Sequence, residues 1–175
     1  MAMNETISTI LARRSVRAYE PTPISDDDLR AILEATRQAP SAANRQPVHF
    51  VIVRDPEQKR KVAAAAQQQH WLAQADIIVV AVGFPEQSGK WYTVDSAIAL
   101  QTLVISAASL GYGTCWIGAF NEGSVKEVVA LPEGARVVAL TPLGRPAERP
   151  AARSRKSPEA LFSWNRFGEK PAIDL

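Results

Sequence analysis

Residues 94–113, VDSAIALQTLVISAASLGYG, are apolar on nearly every face and end in glycines. A helix without a polar stripe has to be covered all round. A chain of 175 residues is long enough for one domain with a full core, so this helix is expected at its centre. Its apolar surface from Val94 to Leu110 exceeds what so small a core needs, which marks it also as a surface for a second subunit. Everything else in the chain has to be arranged around it.

The flanking segments read as short strands among helices. Residues 4–13, NETISTILAR, place Ile7, Ile10 and Leu11 at helical spacing behind an Asn4 cap. Ser25, with Asp28 three residues on, resembles a capping box, and LRAILEATRQA carries the next helix. Residues 39–48, APSAANRQPV, form a loop bounded by prolines, and HFVIV is a strand candidate. Asp55-Pro56 is a helix start with an N-cap and a proline at the first turn, and an Ala/Gln-rich helix is expected to run to about Ala75. DIIVVAVGF is the most apolar strand, expected in the middle of a sheet. SGKWYT reads as a loop, and TCWIGAF and ARVVALTPLG as two further strands with a short helix between. Ser157-Pro158-Glu159 starts a last short helix. Because strands and helices do not alternate one to one, the fold class is α+β rather than doubly wound, a single domain over residues 1–175.

Charge and composition exclude several classes. A formal net charge of +2 gives no global basic field for nucleic acid, and no continuous basic face is interleaved with aromatics. One cysteine, Cys115, and two distant histidines, His49 and His70, offer neither a disulfide framework nor metal-ligand spacing. The N-terminal residues lack the apolar core of a signal peptide, and no apolar run is long enough to span a bilayer. A cytoplasmic, reducing compartment is the expectation.

Basic residues are instead local. RRSVR places Arg13 and Arg17 around Ser15, a reasonable cradle for a phosphate; Arg13 and Arg14 equally suit the negative end of a helix dipole. In RPAERPAARSRK, residues 145–156, Arg153 and Arg155 are two apart and share a face of an extended chain. No glycine-rich phosphate loop is present. Ser41, Asn44 and Gln46 sit on the proline-bounded loop, where they suit either a turn or contacts to a ligand's hydroxyl and amide edges.

RRSVRAYEP, then APSAANRQPVHFVIV, DSAIALQTLVISAASLGYGTCWIGAF and PLGRPAE, in that order and over about residues 7–168, resemble the FMN-dependent nitroreductase family. The length is similar to its short branch. The resemblance implies a sheet flanked by helices, with a buried central helix at a dimer interface and FMN bound there. Arg13 would hold the phosphate, with Arg14 next to it. Arg17 would lie near the flavin pyrimidine, where a cation favours the reduced anion, and Ser15 would support both. Ser41 and Asn44, and less directly Gln46, would reach the flavin from the second subunit. Arg153 and Arg155 would complete the phosphate site. Ile117-Gly118 would present backbone N–H groups near flavin N5, glycine permitting close approach. The family often has an acidic residue where Ile117 stands, so only a backbone contact carries over.

Other positions depart from the family pattern. Gln67 and His70 stand nearest to residues that in some members contact the pyrimidine, so His70 is either a flavin donor or a surface residue. Trp91 and Tyr92 stand where short members place a substrate-side loop, and either stack there or pack in the core. His49 is expected on a strand with a structural hydrogen bond, and Cys115 is expected to be buried and unreactive. The implied activity is electron transfer from NADH or NADPH through FMN to a conjugated acceptor such as a nitroaromatic or quinone, with no catalytic side chain and no metal. A non-catalytic FMN-binding protein is the rival, and these motifs do not separate reductases from dehalogenating or flavin-fragmenting members.

Overall fold

The structure, a computed structural model, describes residues 4–170 and residue 173. Helix α1 (Glu5–Ala12) starts at Asn4, whose side chain accepts from Thr6 N. Helix α2 (Asp26–Arg37) starts at Ser25, whose hydroxyl accepts from Asp28 N. Helix α3 (Pro56–Ala65) starts at Asp55, whose carboxylate accepts from Gln58 N. These caps are local devices, each supplying an acceptor for an otherwise unpaired helix N–H. The remaining elements are strand β1 (Val48–Val53), strand β2 (Ile77–Gly83), helix α4 (Tyr92–Ser109), strand β3 (Gly113–Thr114), helix α5 (Glu122–Val128), strand β4 (Arg136–Gly144) and the short helix α6 (Pro158–Leu161).

The four strands form an antiparallel sheet in the order β1-β2-β4-β3. All of β2 is buried, and alternation along it separates two cores. Ile77 and Val79 pack with Ile32, Leu103 and Ala107 from α2 and α4. Ile78, Val80 and Val82 pack with Val62, Ala63 and Val125 from α3 and α5. The sheet is thus enclosed by helices on both faces, which explains why β2 is continuously apolar although its pairing is antiparallel.

Two expectations need correction, and one is completed. The Ala/Gln-rich helix ends at Ala65, not near Ala75. Gln67 and Gln68 take left-handed φ of 54° and 59°, and His70–Gln74 form a separate 3₁₀ turn. Tertiary contacts override helix propensity here: Leu72 is buried, and Lys59 Nζ donates to Ala75 O (2.6 Å) and Asp76 O (3.0 Å), pinning the chain where β2 begins. TCWIGAF is not a strand of its own; β3 holds only Gly113–Thr114, followed by an isolated bridge from Ile117 to Leu140. Within the chain, α4 is covered on one side rather than all round. Leu100, Leu103, Val104 and Ala107 are buried, whereas Val94 and Ile98 remain 43% and 39% exposed.

Candidate functional site

The Arg13–Arg17 segment leaves α1 and runs along the outer edge of the sheet. Ser15 bridges Thr114 in parallel, and Val16 N donates to Thr114 O (2.9 Å). A Cβ on Gly113 would meet Val16 at 2.9–3.0 Å, so this close approach requires glycine. The other side of the segment is held by the chain end that carries the second basic cluster. Arg17 N donates to Glu148 Oε1 (2.6 Å), Ala147 N to Ala18 O and Glu20 N to Arg145 O (both 2.9 Å). Buried Tyr19 donates its hydroxyl to Val16 O (2.7 Å).

Arg13, Ser15 and Arg17 gather around Cys115, next to the end of β3. Burial pushes the Cys115 thiol above its ordinary range, while Arg17, Ser15 and Arg13 pull it back in part. The thiol is buried and disfavours its reactive thiolate form, as expected. Arg14 turns the other way: its guanidinium donates to Leu11 O (2.7 Å) and Arg13 O (2.9 Å), closing the carboxyl end of α1. Among the described residues, ion pairs involve Arg30, Arg37, Arg54, Lys61 and Arg136 and none of the arginines in the two basic segments. Among the described residues, the guanidinium groups of Arg13, Arg17, Arg153 and Arg155 therefore have no carboxylate partner. Arg149, not singled out in the sequence, lines the same cleft as Arg13 and Arg14. Arg153 and Arg155 are exposed on a segment without regular secondary structure, where Arg155 folds back toward Arg153 O (3.3 Å) and Ser154 O (3.2 Å).

Ile117 and Gly118 divide the role expected of both. Ile117 N donates to Leu140 O (2.9 Å), so its N–H is not available to a ligand. Gly118 N takes no partner among the described residues, and a Cβ at Gly118 would have nothing within 4 Å. Gly118 thus leaves an open stretch of backbone. The neighbouring Ala119 O accepts from Gln69 Nε2 (3.2 Å), a tie that sequence reasoning missed. His70, the next residue, is exposed at the start of the 3₁₀ turn.

The Ser41–Gln46 loop is strained. Ala43, Asn44 and Gln46 adopt φ of 51°, 54° and 51°, and left-handed conformations of non-glycine residues cost about 1–2 kcal/mol each. Ser41 Oγ accepts from Gln46 N (2.9 Å), and Gln46 Nε2 reaches Asn44 O (3.3 Å). Trp91, 41% exposed, lines a shallow cavity together with Pro40, Ser41 and Ala42. Tyr92 is half-buried on Gly83, where a Cβ would stand 2.6 Å from the ring. His49 does lie on β1, paired with Val82, but its side chain is exposed and makes no hydrogen bond among the described residues. Asp95, 2% exposed in the first turn of α4, accepts from Ala42 N (3.0 Å) and was also missed. The one signal for it is a lone acid within a long apolar run.

Fold and site together define an α+β protein with a cationic cradle at one edge of an antiparallel sheet. The chain belongs to the nitroreductase family, whose model matches residues 10–76 and 66–145. It is 33% identical over 153 residues to a putative NADH dehydrogenase/NAD(P)H nitroreductase of Archaeoglobus fulgidus, covering 83% of this chain and 88% of that protein. It is 32% identical to the FMN reductase [NAD(P)H] of Bacillus subtilis, covering 91% of this chain and 73% of that one. Its fold superposes with a TM-score of 0.88 on the NADPH:FMN oxidoreductase of Vibrio harveyi complexed with NAD+, at 29% identity, covering 96% of this chain and 80% of that one. Among the described residues, no helix is long and apolar enough to cross a membrane, and no three His, Cys, Asp or Glu side chains are grouped to hold a metal ion.

Proposed function

We propose that this chain is a homodimeric, FMN-dependent oxidoreductase that takes electrons from NADH or NADPH and passes them to a conjugated acceptor such as a nitroaromatic or a quinone. One observation carries the reading: among the described residues, the guanidinium groups of both basic segments lack carboxylate partners, while the ion pairs lie elsewhere. Unpaired guanidinium groups beside a serine hydroxyl and an open backbone N–H suit a phosphate-bearing, electron-rich ligand. The donor set therefore fits FMN, which when bound supplies the two-electron redox chemistry of the reaction.

The chain's own residues bind and orient. Arg13 neutralises the phosphate, with Arg149, Arg153 and Arg155 supplying further charge from the second segment. Arg17 places a cation by the flavin pyrimidine and favours the reduced, negatively charged form. Ser15 adds a hydroxyl, and the Gly118 N–H faces the reacting edge of the ring. Ser41 and Asn44 come from the partner subunit, with Gln46 shaping their loop. Trp91 borders the substrate side, and His70 stands at the rim. Support for the dimer comes from Val94 and Ile98 on α4 and Ile7, Ile10 and Leu11 on α1, all exposed apolar residues. Residues 1–175 form one FMN-binding domain, and the single thiol suits the cytoplasm.

The test is to purify the protein from a flavin-replete host, identify the flavin by mass spectrometry, and reduce it anaerobically with each nicotinamide before adding acceptors. FMN that is bleached by NADH or NADPH and recovered by a nitroaromatic or quinone is the expected result. Protein that takes up no FMN overturns the reading. FMN that neither nicotinamide reduces makes the chain a non-catalytic binder.

A further inference from the structure

The Ser41–Gln46 loop holds three non-glycine residues in the left-handed region, a conformation that persists only where the surroundings enforce it. Most of its hydrogen bonds are internal: Asn44 N to Ser41 O, Arg45 N to Ala42 O, and Gln46 N to Ser41 Oγ. Among the described residues, its one long-range hydrogen bond runs from Ala42 N to Asp95 Oδ1 (3.0 Å). Asp95 lies in the first turn of α4, which has no side-chain cap. Its other oxygen, Oδ2, is buried and makes no hydrogen bond among the described residues. A buried carboxylate with an unsatisfied oxygen is destabilising in itself. Its presence at the single tie of a strained loop points to a gain elsewhere.

We infer that Asp95 is a positioning residue: through Ala42 it fixes the loop so that Ser41 and Asn44 are set for the flavin of the partner subunit. The inference rests on the two-chain site proposed above. Asp95 touches no flavin in this scheme and acts only through the loop. Its effect must therefore appear in the site to which its own loop is donated, not in the site built on its own arginines.

Mixed dimers read this directly. Asp95→Ala should weaken FMN binding about tenfold or more, as expected for losing a hydrogen bond to a charged group. Asp95→Asn retains an acceptor for Ala42 N and should lose less. Asp95→Ser, too short to reach Ala42, replaces Asp95→Ala if the latter does not fold. Refolded with Arg13→Ala, the Asp95→Ala chain should form heterodimers with one intact site, restoring FMN to roughly a quarter of all sites in a statistical mixture. Refolded with Asn44→Ala, it should restore none, because both lesions lie in donated loops. A general loss of stability would not sort the partners in this way. Wild-type FMN affinity in Asp95→Ala, or recovery with Asn44→Ala rather than with Arg13→Ala, overturns the assignment. The Arg13→Ala and Asn44→Ala pair is the control. If that pair fails to recover while heterodimers form, the two-chain site falls and this proposal with it. If it recovers while Asp95→Ala with Arg13→Ala does not, only the Asp95 assignment falls.

Discussion

Residues 13–17 and 149–155 are both rich in arginine, and the fold holds them in opposite ways. The first is fastened on two sides, by Thr114 at the sheet edge and by Glu148, Ala147 and Arg145 across from it. The second leaves that ribbon and continues irregular and exposed, with Arg155, among the described residues, hydrogen-bonded only to its own neighbours. Similar charge thus comes with different preorganisation. A guanidinium on a fastened backbone binds an anion without first ordering its chain, whereas one on an irregular segment loses conformational freedom on binding.

Arg13→Ala should therefore show the largest effect, weakening FMN binding by about 1.5–3 kcal/mol, measured by flavin fluorescence on titration. Arg153→Ala and Arg155→Ala should each weaken it less, with a loss that shrinks further as salt is raised, since exposed charges are screened. Equal losses at all three positions would erase the contrast between the segments.

Gly113→Ala attacks the fastening itself. The added Cβ would press on Val16, and overpacking of this kind costs about 1–3 kcal/mol. The midpoint of denaturant unfolding should fall, and FMN affinity should fall with it although no ligand contact is removed. Undiminished affinity in a destabilised Gly113→Ala protein would show that fastening contributes nothing to binding.

Arg17→Ala tests a subtler consequence and carries the smallest expected loss of affinity. If it still binds FMN, the reduction potential of the bound flavin should become more negative, because the cation favours the reduced anion. Spectroelectrochemical titration measures this, and an unchanged potential would remove Arg17 from the pyrimidine edge.

Local chemistry made much of this molecule legible from its residues. Asn4, Ser25 and Asp55 mark helix starts because each supplies an acceptor within three residues of itself. The β2 run and the apolar α4 segment identify themselves because continuous apolarity has no other stable use than burial. The arginines, Ser15 and the Ser41–Asn44 loop are likewise visible as motifs. The 3₁₀ turn at His70–Gln74 was not legible, because an Ala/Gln-rich stretch carries helix propensity and the break is imposed by Lys59 and the entry into β2. Asp95 stood in plain view as an isolated acid, but its partner, Ala42 N, is a backbone group 53 residues away.

The amino-acid order by itself determined where α1, α2 and α3 begin, which strand is central and which residue types are available to an anionic ligand, since these depend on neighbours a few residues apart. Only the tertiary structure decided which of two adjacent N–H groups stays open, Gly118 rather than Ile117, because Leu140 claims the other. It also decided which side of α4 the chain covers and which arginine segment is fastened. Those outcomes turn on pairings such as Arg17 with Glu148, 131 residues apart, and a contact over that distance follows from how the whole chain packs rather than from any local pattern.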